Sequence, residues 1–144
     1  MAREFARLVP ELYVTDIAVS LRFWCGLIGF RVRFDRPEDG FAYLELDGAE
    51  VMLEQLADSP RTWRTGTLQR PLGRGINFQI EVAAIAPIVA RLRAASVDLF
   101  LEPEERWYRD KNVEHGQRQF LVQDPDGYLL RLAEPLGRRP TPAA

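Results

Sequence analysis

Among its 144 residues the chain has one cysteine, Cys25, and one histidine, His115. A single cysteine excludes an intrachain disulfide framework and fits a reducing compartment. A lone histidine cannot supply a centre built on two imidazoles. No apolar run approaches ~20 residues, so no membrane span is expected. The opening MAREFARLVPEL lacks the apolar core of a signal peptide, which makes the cytoplasm the expected compartment. Nor is there an excess of either charge. The 19 basic and 21 acidic residues are interspersed and leave a net charge of -2, which gives no reason to expect nucleic acid. No Ser–His–Asp or Cys–His set stands out. Gly73-Arg74-Gly75 is not followed by the GK[ST] that a phosphate loop needs.

What the chain does have is alternation. With 47% hydrophobic and 28% charged residues it has a soluble domain's composition, and its length suits one compact domain. The stretch FLVQDPDGYLLRLAE, residues 120–134, holds two alternating runs joined by Asp-Pro-Asp-Gly. Pro125 presets φ for a turn and Gly127 supplies φ > 0, so a hairpin is expected. FAYLELDGAEVMLEQ, residues 41–55, carries the same signal around Asp47-Gly48.

Each hairpin is preceded by the same elements. In the first half, residues 8–14 read as a strand and Asp16 as an N-cap. Ile17, Leu21, Trp24, Cys25 and Ile28 then lie at helical spacing, and Gly29 ends the helix. Residues 30–35 form the next strand. In the second half, residues 76–82 alternate strictly, residues 85–95 carry a helical stripe with Pro87 in the first turn, and residues 97–101 read as a strand. Ala84 replaces the capping Asp, so a weaker second cap is expected. Residues 102–116 read as a long polar loop. The order β-α-β-β-β thus occurs twice, a repeat of roughly 65–70 residues. The fold class is α+β: a single domain over 1–144, with modules at 8–56 and 74–135, a connector at 57–73 and a poorly ordered tail at 136–144. On the strands Leu12, Val14, Val51, Leu53, Ile76, Phe78, Ile80, Leu130 and Leu132 are expected to face the helices. Glu11, Tyr13, Glu54, Asn77, Gln79, Glu81 and Arg131 fall on the opposite face.

VTDIAVSLRFWCGLIGF, GAEVMLEQ, GINFQIEV and VQDPDGYLLRLAEP, in that order, resemble the vicinal oxygen chelate superfamily. That superfamily includes glyoxalase I, extradiol dioxygenases and the fosfomycin and bleomycin resistance proteins. The resemblance implies paired βαβββ modules in a cupped mixed sheet with helices outside, usually in a homodimer. It puts the metal-ligand positions at Val9, Glu54, Asn77 and Arg131. Only Glu54 is a competent ligand: Val9 has no donor atom, Asn77 offers a neutral carbonyl, and Arg131 brings a fixed positive charge.

No metal and no cofactor are therefore expected, and the non-metal, bleomycin-resistance-like branch is the expected relative. In that branch the cleft sequesters a drug without altering it. The expected partner is an amphipathic or cationic small molecule, such as a bleomycin-type antibiotic. Glu54, Asn77, Gln79, Arg131 and Tyr13 would line the cleft, with Trp63 and Trp107 as stacking surfaces. The alternative is a metal-dependent lyase or dioxygenase with a non-standard site. For Glu54 and Arg131 a ligand-orienting pair and a structural salt bridge are both open readings. His115 reads as a surface residue, and Cys25 and Trp24 as helix packing.

Overall fold

The computed structural model describes residues 3–142. The chain forms two compact units. The first runs from the N-terminal stretch through Arg74 and includes Asp124–Tyr128; the second comprises Gly75–Gln123 and the stretch from Leu129 onward. Unit one is β1 (Glu11–Val14), α1 (Ile17–Leu21) continuing as a π-helical stretch Arg22–Ile28, then β2 (Arg31–Arg36), β3 (Phe41–Leu46) and β4 (Ala49–Gln55). Unit two is β5 (Asn77–Glu81), α2 (Ala86–Ala94), β6 (Leu101–Asp110), β7 (Val113–Gln123) and β8 (Leu129–Pro140). The two four-stranded sheets have orders β1-β4-β3-β2 and β5-β8-β7-β6. β1 runs parallel to β4, and β5 to β8; the other pairs are antiparallel. The α+β class with two βαβββ modules is thus as the alternation implied.

The punctuating residues act as their chemistry requires. Asp16 caps α1, its carboxylate accepting from the N–H groups of Ala18 and Val19. Gly29 closes the helical stretch at φ 113°. The N–H groups of Gly29 and Phe30 both reach the Trp24 carbonyl, at 3.1 and 2.9 Å. This wider turn brings Phe23 and Trp24 together onto the buried side, both almost fully covered, where a 3.6-residue period selects Trp24 alone. Asp47 and Gly48 both have positive φ, as a two-residue type I′ hairpin needs. No side chain of its own N-cap residue caps α2; the Glu134 carboxylate of β8 accepts from Ile85 N–H instead, at 3.0 Å.

Seven of the nine residues assigned to the helix-facing side, Leu12, Val14, Val51, Leu53, Ile80, Leu130 and Leu132, are buried. Phe78 is half-buried. Ile76 precedes β5 and is 51% exposed, contrary to its expected place in the core.

Four boundaries differ from the sequence reading. The first strand, expected over residues 8–14, begins only at Glu11, and Leu8 is exposed. Residues 97–100 are not a strand; β6 begins at Leu101. The expected loop over 102–116 is a long hairpin, β6 to β7, turning at Lys111 with φ 59°. Its residues are polar on both faces, so apolar alternation could not reveal it. The tail expected to be disordered continues β8 to Pro140, pairing with β7 through His115↔Arg138 and Val113↔Pro140. Pro135 is accommodated because the ladder shifts register between Gly116 and Gln117, and a bulge tolerates a residue without an N–H. Residues 143–144 of the expected tail lie outside the described residues. Among the described residues no helix is long and apolar enough to cross a membrane.

The Asp124–Gly127 turn is closely determined. Gly127 N–H donates to Asp124 O at 2.9 Å, and Asp124 Oδ1 accepts from the N–H groups of Asp126 and Tyr128, each at 2.9 Å. Gly127 has φ 103°, and a Cβ there would lie 2.5 Å from Pro71 Cβ. Gly48 has φ 94° with open space around it. Gly127→Ala is therefore expected to cost about 2–4 kcal/mol, backbone strain plus overlap, and Gly48→Ala only about 1 kcal/mol of strain. Urea unfolding checks this through the two midpoints; equal losses would show that the Pro71 contact yields freely.

Candidate functional site

On unit one's sheet, strand alternation places Glu11 and Tyr13 of β1, Glu50, Met52 and Glu54 of β4, and Phe41 and Tyr43 of β3 on the face away from the helix. One end of this face is filled. Phe5 packs edge-on against Tyr43 at 5.3 Å, and Phe34 stacks on Tyr43 at 4.9 Å. Glu50 accepts from Ala6 N–H at 2.7 Å, from Tyr43 Oη at 2.6 Å and from Arg33 Nη1 at 2.9 Å. Burial works to raise the Glu50 carboxyl, but these three donors outweigh it and hold it below the usual carboxylate range. Burial and the same carboxylate push the Tyr43 phenol up to about 12.

The other end is open. A pocket of about 540 Å³ is lined by Glu11 and Glu54 of the strands, Arg36, Glu38 and Asp39 before β3, and 55–63 residues that include Arg61 and Trp63. Its four carboxylates outnumber its two guanidiniums. Both guanidiniums are already engaged: Arg36 lies 4.0 Å from the Phe41 ring centre and 3.3 Å from Asp39, and Arg61 covers the Trp63 ring at 4.6 Å. Among the described residues Glu11 and Glu54 form no ion pair within 4.0 Å. Burial, and secondarily the charge of Glu54, raise the Glu11 carboxyl above its ordinary value; Arg36 and Arg61 offset this only in part. Trp63 is 61% exposed. Tyr13 Oη accepts from Trp63 N–H at 2.8 Å, so Tyr13 tethers the connector that carries the indole.

Of the residues singled out from sequence, Glu54 and Trp63 thus meet at one pocket in unit one, and Tyr13 reaches it only through its hydrogen bond to the Trp63 backbone. Asn77, Gln79, Arg131 and Trp107 belong to unit two. There Gln79 is the register partner of Arg131, and Asn77 that of Leu129. Arg131 Nε is buried with no hydrogen-bond partner. Trp107 stands on β6, not in a loop. Its indole N–H donates to Glu105 at 3.0 Å, its ring lies where a Cβ on Gly116 would be, and Arg139 covers it at 4.1 Å. His115 is exposed and 2.9 Å from Asp110, on the surface as expected.

A second pocket, of about 320 Å³, opens on unit two's polar face beside Gln79, Glu81, His115 and Gln117. Arg36, Arg61 and Gln117 were not picked out from sequence. The only signal for Gln117 was its alternation with Gln119 on one face of β7.

The superfamily's metal positions can be tested against this chain's donors. Val9 has none and Arg131 is cationic, and no group of three or more His, Cys, Asp or Glu side chains among the described residues is placed to hold a metal ion. The donor set does not fit a bound transition metal.

Two βαβββ modules, each with an apolar helix-covered face and a polar open one, define the class of fold. The sequence matches the Glyoxalase/Bleomycin resistance protein/Dioxygenase superfamily over residues 5–132, and the chain belongs to that superfamily. It is 27% identical over 134 residues to a bleomycin resistance protein from Geobacillus stearothermophilus, covering 85% of this chain and 91% of that protein. Among solved structures it is similar to TioX from Micromonospora sp. ML1, with TM-score 0.68 and 22% identity over 91% of this chain and 99% of that one. It is also similar to the fosfomycin resistance protein FosX from Listeria monocytogenes, with TM-score 0.59 and 18% identity over 90% and 91% of the two chains. Both structural likenesses show the fold.

The raised Glu11 carboxyl has a pH consequence. A folded-state pKa above the unfolded one means stability that is complete below the unfolded value and is lost as pH rises through the folded value. Glu11→Gln has no such loss. The variant is expected to gain stability relative to the parent as pH rises from about 4 towards neutrality, and the difference to shrink in acid. Denaturant midpoints across that range check it; a difference independent of pH would contradict the assignment.

Proposed function

We propose that this protein binds an amphipathic, cationic small molecule of the bleomycin type and sequesters it without chemical change. The observation that carries this reading is the pair of carboxylates without an ion-pair partner, Glu11 and Glu54, in one pocket with the exposed indole of Trp63. Carboxylates supply Coulomb attraction and charge-assisted hydrogen bonds to an ammonium or amidinium group. An indole supplies a flat apolar surface and a π face for the same cation. The family membership and the likeness to bleomycin resistance proteins support the choice of ligand class. Tyr13 holds the Trp63 backbone in position. Stacking is left to Trp63, since the Trp107 ring is covered by Gly116 and Arg139.

The protein is further proposed to act as a cytoplasmic homodimer. Membership of the superfamily, whose members the sequence resemblance implies are usually homodimers, supports this. Light scattering should give twice the chain mass.

Titration calorimetry with bleomycin tests the main reading. Saturable binding is expected, with the drug recovered unaltered by mass spectrometry. Glu54→Gln and Trp63→Ala should each weaken affinity roughly tenfold, the scale of one charged hydrogen bond or one cation–π contact. Absence of heat and of a thermal shift with bleomycin would remove the reading. So would stoichiometric bound transition metal whose removal abolishes turnover of a substrate.

A further inference from the structure

Unit two's polar face contains a chain of carboxamides whose direction is fixed from one end. Gln119, 3% exposed, donates through Nε2 to Glu104 at 2.9 Å and to Tyr108 Oη at 2.7 Å. Its Oε1 accepts from Gln117 Nε2 at 2.6 Å. Gln117 Nε2 also donates to Gln79 Oε1, at 3.4 Å, the longest link. A carboxamide alone can be turned end for end, so the network decides its direction. Here the decision comes from Glu104, whose carboxylate only accepts. Facing it, Gln119 must present its N–H₂. Its carbonyl then points to Gln117 and selects that residue's N–H₂, which in turn selects the carbonyl of Gln79.

The remaining ends are set by the same logic. Gln117 Nε2 spends both hydrogens inside the chain, leaving Gln117 Oε1 as a free acceptor. Gln79 spends its carbonyl, leaving Gln79 Nε2 as a free donor. Neither end has a hydrogen-bond partner among the described residues, and both side chains line the 320 Å³ pocket. An acceptor beside a donor, on two linked carboxamides, complements a planar group carrying N–H beside C=O.

We propose that this pocket binds a neutral carboxamide or lactam, read by Gln79 Nε2 on its carbonyl and by Gln117 Oε1 on its N–H, with Glu104 as the positioning residue that fixes the direction. A carboxylate of the same shape offers no N–H and sets an anion against Gln117 Oε1. A pocket built on polar groups discriminates against a ligand that leaves them unpaired far more strongly than an apolar pocket does. The site is separate in composition from the pocket of Glu11, Glu54 and Trp63. A neutral probe keeps its outcome independent of whether that pocket takes a cation.

The experiment uses the full ¹⁵N-labelled chain, benzamide as probe and benzoate as its counterpart. Side-chain amide signals of Gln79 and Gln117 are followed by two-dimensional NMR. Benzamide is expected to shift both signals saturably, with affinity at least about tenfold above that of benzoate. Gln117→Leu should abolish the shift at Gln79. Glu104→Gln should leave the backbone spectrum and melting curve in place but lower the benzamide-to-benzoate preference by at least about fivefold. A role confined to packing would leave that ratio unmoved. No saturable shift with benzamide, equal binding of benzoate, or an unchanged ratio in Glu104→Gln would each overturn the proposal.

Discussion

Two carboxylates in one tight turn set the frame for unit one. Asp124 and Asp126 are 4% and 1% exposed, and neither is left unpartnered. Asp124 accepts from the Trp24 indole at 3.0 Å and from two backbone N–H groups. Asp126 accepts from the Thr15 hydroxyl and from Arg70. Burial raises the Asp124 carboxyl above its usual range, and these donors recover only part of that cost. A buried carboxylate survives in a fold only where such donors are in place. The end of β1, α1, the connector at Arg70 and the turn are therefore tied to one another through charged hydrogen bonds. Tyr128, with its hydroxyl on the Tyr13 carbonyl, adds a tie at the residue whose own hydroxyl holds Trp63. The connector carrying the exposed indole is thus anchored at Tyr13, on the strand that also carries Glu11.

Given that frame, period-two alternation does the rest. A strand that buries Leu12, Val14, Val51 and Leu53 against a helix must turn Glu11, Tyr13, Met52 and Glu54 to the other side. What becomes of that polar side differs between its ends. Near Glu50 the N-terminal segment lays Phe5 over Tyr43 and satisfies the carboxylate with three donors. Near Glu54 nothing comparable arrives, and the pocket is the consequence. One face of one sheet therefore holds a carboxylate satisfied by three donors and two carboxylates that form no ion pair among the described residues.

The parts legible in the sequence were those where one residue type has one structural use. Asp16 as a cap, Gly29 and Gly127 at positive φ, Asp47-Gly48 as a hairpin turn and the duplicated order of elements were all readable. The β6–β7 hairpin and the continuation of β8 were not, because strands polar on both faces carry no hydrophobic period and Pro135 reads as a terminator. Only backbone pairing shows that it falls at a bulge. Likewise Glu54, Tyr13 and Trp63 were legible as candidates by face and by size. That Arg36 and Arg61 are engaged by Asp39, Phe41 and Trp63 depends on side-chain positions that no spacing rule supplies.

On the proposed reading, Glu11 and Glu54 also bear on which ligand the pocket would favour. Burial raises the cost of ionising Glu11, and the charge of Glu54 adds to it. Two species relieve that cost: a proton, and a cationic group seated between them. They compete for the same charge, so a cation of the proposed kind would displace any proton held by Glu11. A neutral ligand gains nothing from this exchange and would have to rely on Trp63 alone. A rigid anion would meet four carboxylates with both nearby guanidiniums already committed. The electrostatics of the pocket thus support the proposed cationic ligand before shape is considered, and the indole at its rim supports one whose charge is borne on a flat apolar body.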